Sequence, residues 1–218
     1  MKPDVRGEKQ DYFETSAARW DDLEPRVQLA RAVARAIAAA VPLTRETRAM
    51  EYGCGTGLVS AALLAGPTPP GHVVAADNSP AMLDVLHKKV AAGELRDIEP
   101  RQLDILCEQP AIGEFLVIYS SMTLHHVEEA ELLLARLFPM LQSGGWLALA
   151  DLVVEDGSFH GDDVSVAYHG FDPDQLARWC CAAGFTEANW QVVHTIEKPD
   201  NRGTLRQYPV FLLTCRKP

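Results

Sequence analysis

The chain has 218 residues, 47% hydrophobic and 23% charged, an ordinary balance for one globular domain with an added segment. Its net charge of −10 opposes the grip on phosphates that nucleic-acid binding needs, and opposes docking on an anionic membrane surface. No apolar run is long enough to span a bilayer, Met1 to Tyr12 lack a signal peptide's apolar core, and five cysteines form no C-x-x-C pair, so a reduced, cytoplasmic protein is expected.

The first fifty residues read as helical. Leu29, Val33, Ile37 and Val41 recur at four-residue spacing between Pro25 and Pro42, an apolar stripe in an Ala-rich helix. From there strand and helix patterns alternate, which predicts a parallel sheet with crossover helices. Expected strands are Thr47–Tyr52, His72–Ala76, Ile98–Leu103, Phe115–Ser120 and Trp146–Leu152, the last entered through a Gly144-Gly145 turn. Expected helices are Thr56–Ala65, one capped by Ser79 with Pro80 behind it and ended by Gly93, Glu128–Leu141, and one announced by Asp172-Pro173-Asp174-Gln175 and closed at Gly184. Residues 153–171 are polar and irregular. Two final strands, near Glu187–Ile196 and Gln207–Arg216, join through a hairpin-like Pro199–Gly203 connection. The fold class expected is α/β: a Rossmann-like doubly wound sheet, mostly parallel, with an antiparallel C-terminal strand and helices on both faces. An N-terminal helical segment (1–45) precedes the core (46–218).

The most informative stretch is Glu51-Tyr52-Gly53-Cys54-Gly55-Thr56-Gly57, with Asp77 closing the next strand. A strand ending in a glycine turn lets a ligand lie against bare backbone, and an acidic residue on the neighbouring strand accepts both hydroxyls of a ribose. The spacing is G-x-G-x-G, with Leu58 where a dinucleotide fingerprint needs its third glycine. No Lys or Arg lies between Arg48 and His87, whereas Glu51 sits two residues before the first glycine. That pattern suits a ligand with a cationic amine better than a pyrophosphate. On these residues the chain resembles class I S-adenosylmethionine-dependent methyltransferases of the small-molecule type, similar to quinone-biosynthesis enzymes, across roughly residues 10–216.

The resemblance implies S-adenosyl-L-methionine as cofactor and a residue-by-residue site. Gly53, Cys54, Gly55 and Gly57 form the loop, Glu51 helps bind the cofactor's amino group, and Asp77 bonds the ribose diol. Asn78 and Met82 follow on the adenine side, Asp104 accepts from the adenine amine, and Ile105 and Leu106 lie against the ring. Ser120 and Ser121 end the fourth strand at the same sheet edge. Tyr12 and Trp20 resemble a segment that folds over the cofactor, with aromatic faces suited to a sulfonium. One departure is Leu116, where many relatives carry an Asp after the Phe that begins the strand.

The catalytic candidates are His125 and His126, in a turn leaving the fourth strand, each able to take a proton or orient the acceptor. The substrate-side candidates are Asp151, Glu155, His160, Tyr168 and His169, in or beside the irregular 153–171 stretch. No known ligand spacing supports a metal, so none is expected. The expected partner is a small-molecule acceptor, with no nucleic acid and no stable membrane insertion, in a monomer or homodimer. The alternatives are a nicotinamide-dependent Rossmann oxidoreductase and a non-catalytic S-adenosylmethionine-binding regulatory protein.

Overall fold

A computed structural model describes residues 12–107, 110, 112–160, 166–200 and 203–218. The expectations for residues 1–11, for 161–165 of the irregular stretch and for 201–202 of the hairpin lie outside the described residues. Seven strands are described: β1 (Arg48–Tyr52), β2 (His72–Asp77), β3 (Ile98–Gln102), β4 (Phe115–Ser121), β5 (Leu141–Leu152), β6 (Thr186–Pro199) and β7 (Leu205–Arg216). They form one sheet in the order β3-β2-β1-β4-β5-β7-β6, in which β7 alone runs antiparallel to its neighbours. The helices are α1 (Glu24–Ala40), α2 (Leu58–Leu64), α3 (Pro80–Ala91), α4 (Ala130–Met140) and α5 (Pro173–Ala182). Residues 12–16 are also helical and lead into a 3₁₀ turn, Ala17–Asp22.

Strand residues alternate between two cores because successive side chains leave a strand on opposite faces. Ala49, Val73, Val117 and Ala148 join the core under α1, α2 and α3, with Val33, Ile37, Val59 and Leu86. Met50, Val74, Ile118 and Leu147 join the core under α4 and α5, with Leu133, Leu137, Leu176 and Cys180. The doubly wound architecture follows from this pattern: both faces of the central strands are apolar, so both must be covered.

The caps read from the sequence are in place. The Ser79 side chain accepts from the Met82 N–H, and Asp172 accepts from the N–H groups of Asp174 and Gln175. Three boundaries differ from expectation. The helix after the glycine loop opens at Leu58, not Thr56, because Gly57 takes a left-handed φ of 82° as its N-cap. Helix α4 starts at Ala130 and ends at Met140. The Gly144-Gly145 pair does not precede β5 but lies within it: Phe115 pairs with Leu141 and Val117 with Trp146, so the glycines are absorbed as an irregularity.

The central strands reverse direction of winding between β1 and β4, where β1 leads to β2 on one side and β4 to β5 on the other. Ligands of open α/β sheets bind beyond the carboxyl ends of strands at such a switch point. The glycine loop, the end of β2 and the His125-His126 turn all emerge there.

Candidate active site

The tips of β1 and β2 are adjacent. Tyr52 pairs with Ala76, and the N–H groups of Gly53 and Cys54 both donate to the Ala76 carbonyl, at 2.8 and 3.0 Å. The loop then folds back on Asp77, whose carboxylate accepts from the Gly55 N–H at 2.7 Å and the Ser79 N–H at 2.8 Å. A cleft of about 1380 Å³ opens over this loop, lined among others by Glu51, Gly53, Cys54, Gly55, Asp77 and Asn78.

Gly53 is required by geometry: its φ is +69°, and a Cβ there would meet Thr123 Cγ2 at 2.2 Å. Thr123 cannot withdraw freely, because its hydroxyl donates to the carbonyls of Gly53 and Ser121. We therefore expect Gly53→Ala to lose about 1–3 kcal/mol of stability and to spread the loop from β4. Urea denaturation would measure this, and an unchanged midpoint would contradict it.

Glu51 is 2% exposed. It accepts from the Ser60 N–H at 3.2 Å and from the Ser60 hydroxyl, which also contacts the Tyr119 hydroxyl at 2.7 Å. Burial pushes its carboxyl up to about 8, only partly offset by the Ser60 bonds. Burial likewise raises Asp77 from its ordinary value, against the lowering effect of its backbone donors. Two carboxyls shifted upward by burial line the cleft, a setting that a cationic ligand would relieve. Lys89 of α3 brings a cation to the cation-poor loop: it donates to the Thr56 carbonyl at 2.7 Å and pairs with Asp21, which also accepts from the Thr56 hydroxyl at 2.5 Å. This network fastens the N-terminal 3₁₀ turn to the loop.

Tyr12 and Trp20 both line the cleft, with Phe13 packed between them. The Trp20 face assigned to a sulfonium is instead covered by Arg26, whose guanidinium carbon lies 3.6 Å from the ring centroid. Arg26 also donates to the Tyr12 hydroxyl at 3.2 Å. Phe13 reaches His126, edge to face at 5.2 Å between centroids, a contact with no signal in the sequence.

On the opposite wall, His125 and Asp151 form a buried pair, each 1% exposed. His125 Nδ1 lies 2.6 Å from Asp151 Oδ1, and the His125 N–H donates to Asp151 Oδ2 at 3.2 Å. The carboxylate thereby holds the proton on Nδ1 and leaves Nε2 as the acceptor nitrogen, facing the cleft. That Nε2 lies 3.1 Å from Nε2 of His160. Burial, together with the nearby His125, pulls His160 down to about 3, so its ring is neutral at physiological pH. The turn carrying His160 is tied down: Glu155 accepts from the Phe159 N–H at 3.0 Å, and Lys198 donates to the Phe159 carbonyl.

Among the residues assigned to the site, Leu106, Asp104, Met82, Ser121, His126 and His160 also line the cleft. Others do not. Ile105 is turned into the core under α4 at 1% exposure, so it cannot lie against a ring in the cleft. Ser120 is buried and donates to the Tyr52 carbonyl at 2.8 Å, tying β4 to β1. Gly57 serves packing, since a Cβ would stand 2.7 Å from Leu86. Asp151 stands behind His125. Tyr168 packs on Phe171 and donates to the Glu128 carbonyl, and His169 is exposed beside Glu155, 3.7 Å away. Asp104 spends its carboxylate on the N–H groups of Leu106 and Cys107, capping the turn it begins. The Cys54 thiol is pushed well up by burial, which leaves it unreactive.

Residues 49–145 match a protein-family model described as a methyltransferase domain. Trans-aconitate 2-methyltransferase of Deinococcus radiodurans is 34% identical over 129 residues, covering 59% of this chain and 47% of that protein. The chain thus spans about half the length of the curated relatives it matches. Among solved structures, phosphoethanolamine N-methyltransferase 2 of Haemonchus contortus, in complex with S-adenosyl-L-methionine, superposes with a TM-score of 0.69 at 13% identity, covering 94% of this chain and 60% of that one. The protein bound to the Trm112 methyltransferase activator in the Haloferax volcanii complex gives 0.70 at 15% identity, covering 96% and 97%. At such identities the structural likeness speaks for the fold, and the matched domain speaks for the family. With its glycine loop and Asp77 meeting at the β1/β4 switch point of this sheet, residues 49–145 carry a methyltransferase domain, in a fold shared with S-adenosylmethionine-binding methyltransferases.

Proposed function

We propose that the protein transfers a methyl group from S-adenosyl-L-methionine to a small-molecule acceptor that must lose a proton. The observation that carries this reading is a single cleft with two walls. The raised carboxyls of Glu51 and Asp77 line one, and the Asp151–His125 pair stands in the other. When bound, the cofactor supplies an electrophilic methyl on a sulfonium. Everything else falls to the protein: alignment, exclusion of water and management of one proton.

Glu51 and Asp77 would hold the amino and ribose ends, with the glycine loop giving backbone clearance. Tyr12, Phe13 and Trp20 would cover the cleft and keep water out. His125, with Nδ1 occupied by Asp151, accepts the acceptor's proton at Nε2, and Asp151 stabilises the imidazolium formed. His160 and His126 flank that position and orient the acceptor.

The trans-aconitate relatives support a small acceptor. A carboxylate acceptor needs no base, however, so the buried His–Asp pair favours a hydroxyl or thiol, as in the quinone-type substrates the sequence resembles. Arg26 and Lys198 of the cleft lining are also engaged elsewhere, Arg26 on Tyr12 and Trp20 and Lys198 on the Phe159 carbonyl. A titration calorimetry series tests the cofactor half. S-adenosylhomocysteine should bind with micromolar affinity, and Asp77→Ala should weaken it about 100-fold, the scale of two charge-assisted hydrogen bonds. Binding of a nicotinamide nucleotide in its place would overturn the assignment.

A further inference from the structure

We propose that His125, His126 and His160 form a zinc-type metal site at the acceptor end of the cleft. One ring nitrogen from each residue lies within 4.8 Å of the others, and all three side chains line the cleft. Four-coordinate zinc with nitrogen ligands at about 2.0–2.1 Å sets its ligand atoms about 3.3 Å apart. The His125 and His160 Nε2 atoms already stand at 3.1 Å. His126 supplies the third nitrogen, within 4.8 Å of the other two, on a ring whose centroid is 4.2 Å from that of His125.

Three features distinguish this cluster from histidines that merely stack. First, the ring nitrogens converge, and a metal ion would displace the proton that His160 and His125 share. His125 has Nδ1 committed to Asp151, which leaves Nε2 as its metal-binding atom, and that atom faces His160 rather than solvent. Second, a carboxylate–histidine pair behind the ligand is the arrangement that fixes the tautomer and raises basicity in protein metal sites. Asp151 is itself held by the Leu152 N–H at 2.7 Å and the His125 N–H. Third, the local charge suits a dication: among the described residues Asp151 and Glu155 stand close to the cluster, against the ammonium of Lys198.

A neutral three-imidazole set selects zinc or a neighbouring first-row ion over magnesium or calcium, which want oxygen ligands. Such a set also leaves a fourth position open, here toward the cleft. An acceptor hydroxyl or thiol bound there gives up its proton to solvent near neutral pH, because the ion stabilises the anion. The oxygen or sulfur lone pair then forms the new bond to the methyl carbon, and the electrons of the broken carbon–sulfur bond return to the cofactor's sulfur. This inference rests on the methyl-transfer reading and assigns the proton's loss to a metal held by His125 rather than to free His125. The ligands come from two segments 35 residues apart, which is why no spacing motif marks them.

The test uses the full chain, stripped with a chelator and dialysed, in two parallel measurements. Competition with a chromophoric zinc chelator should give one equivalent of zinc bound below micromolar Kd. Cobalt(II) in its place should give the intense visible bands of a four-coordinate ion. His160→Ala should weaken zinc at least 100-fold, and Asp151→Asn 10- to 100-fold, while S-adenosylhomocysteine affinity stays within twofold of the parent in the His160 variant. Failure of zinc to bind stoichiometrically, a six-coordinate cobalt spectrum, or zinc affinity indifferent to His160→Ala would each overturn the metal site. Because cofactor binding is read independently, a wild-type chain that takes zinc but not S-adenosylhomocysteine would instead overturn the methyl-transfer reading on which the site's role depends.

Discussion

Replacing Asp151 with Asn is expected to lower kcat 10²- to 10⁴-fold while leaving cofactor affinity nearly unchanged. Asn can turn its carbonyl or its amide toward His125, but it carries no charge to balance a protonated imidazole. The fully buried pair, 2.6 Å apart and with Asp151 also accepting two backbone N–H bonds, leaves no water to take over that role. His125→Ala should fall in the same range, and the double variant should lose little more than either single one, because the two side chains act as a unit. Steady-state kinetics with a responsive acceptor, together with calorimetry for the cofactor, would check this. A double variant whose losses multiply would show that the residues act separately.

The second large effect concerns Glu51. Its folded-state carboxyl, at about 8, stands above the ordinary value of 4.5. Between those limits the folded chain holds a proton that the unfolded chain releases, so stability falls as pH rises through that window. At about 1.4 kcal/mol per pH unit, the accumulated loss by pH 8 is a few kcal/mol. Glu51→Gln removes it: the variant should melt well above wild type at pH 8 and close to it at pH 4.5. A gap that does not change with pH would exclude this account. The same substitution should weaken S-adenosylmethionine about 10- to 100-fold, since a cationic amine near Glu51 is what would bring its carboxylate form into use. Wild-type binding at pH 7 should then release close to one proton. Calorimetry in buffers of different ionisation enthalpy reads that release directly, and Glu51→Gln should abolish it.

These two effects connect stability to function. An unliganded protein that buries carboxyls at its ligand loop gives up stability there, and binding restores it. Marginal local stability of this kind is common where a site must accept a charged ligand.

Much of this was readable from local pattern. The apolar stripe of α1, the capped starts of α3 and α5, and the strand–helix alternation are short-range signals, and each specified its element. The G-x-G-x-G loop and Asp77 also worked locally, because a glycine turn and the end of the next strand are joined by one crossover. Where the reading failed, the cause was packing at a distance. Ile105 follows a pocket-lining residue in sequence, yet the core under α4 claims its side chain. Trp20 was offered to a sulfonium, but α1 brings Arg26 across its face. Asp151 was grouped with the loop after it, although the sheet places it behind His125.

By itself, then, the sequence determined the order of the elements, the nature of the loop ligand and the residues at the first two strand tips. These depend on backbone preferences and periodicities that act within a few positions. Only the tertiary structure decided that His125 takes Asp151 as partner, that His160 returns to face both histidines, and that Phe13 packs against His126. Those contacts join segments far apart in the chain, and only the burial of both sheet faces, with β5 beside β4, brings them to one place.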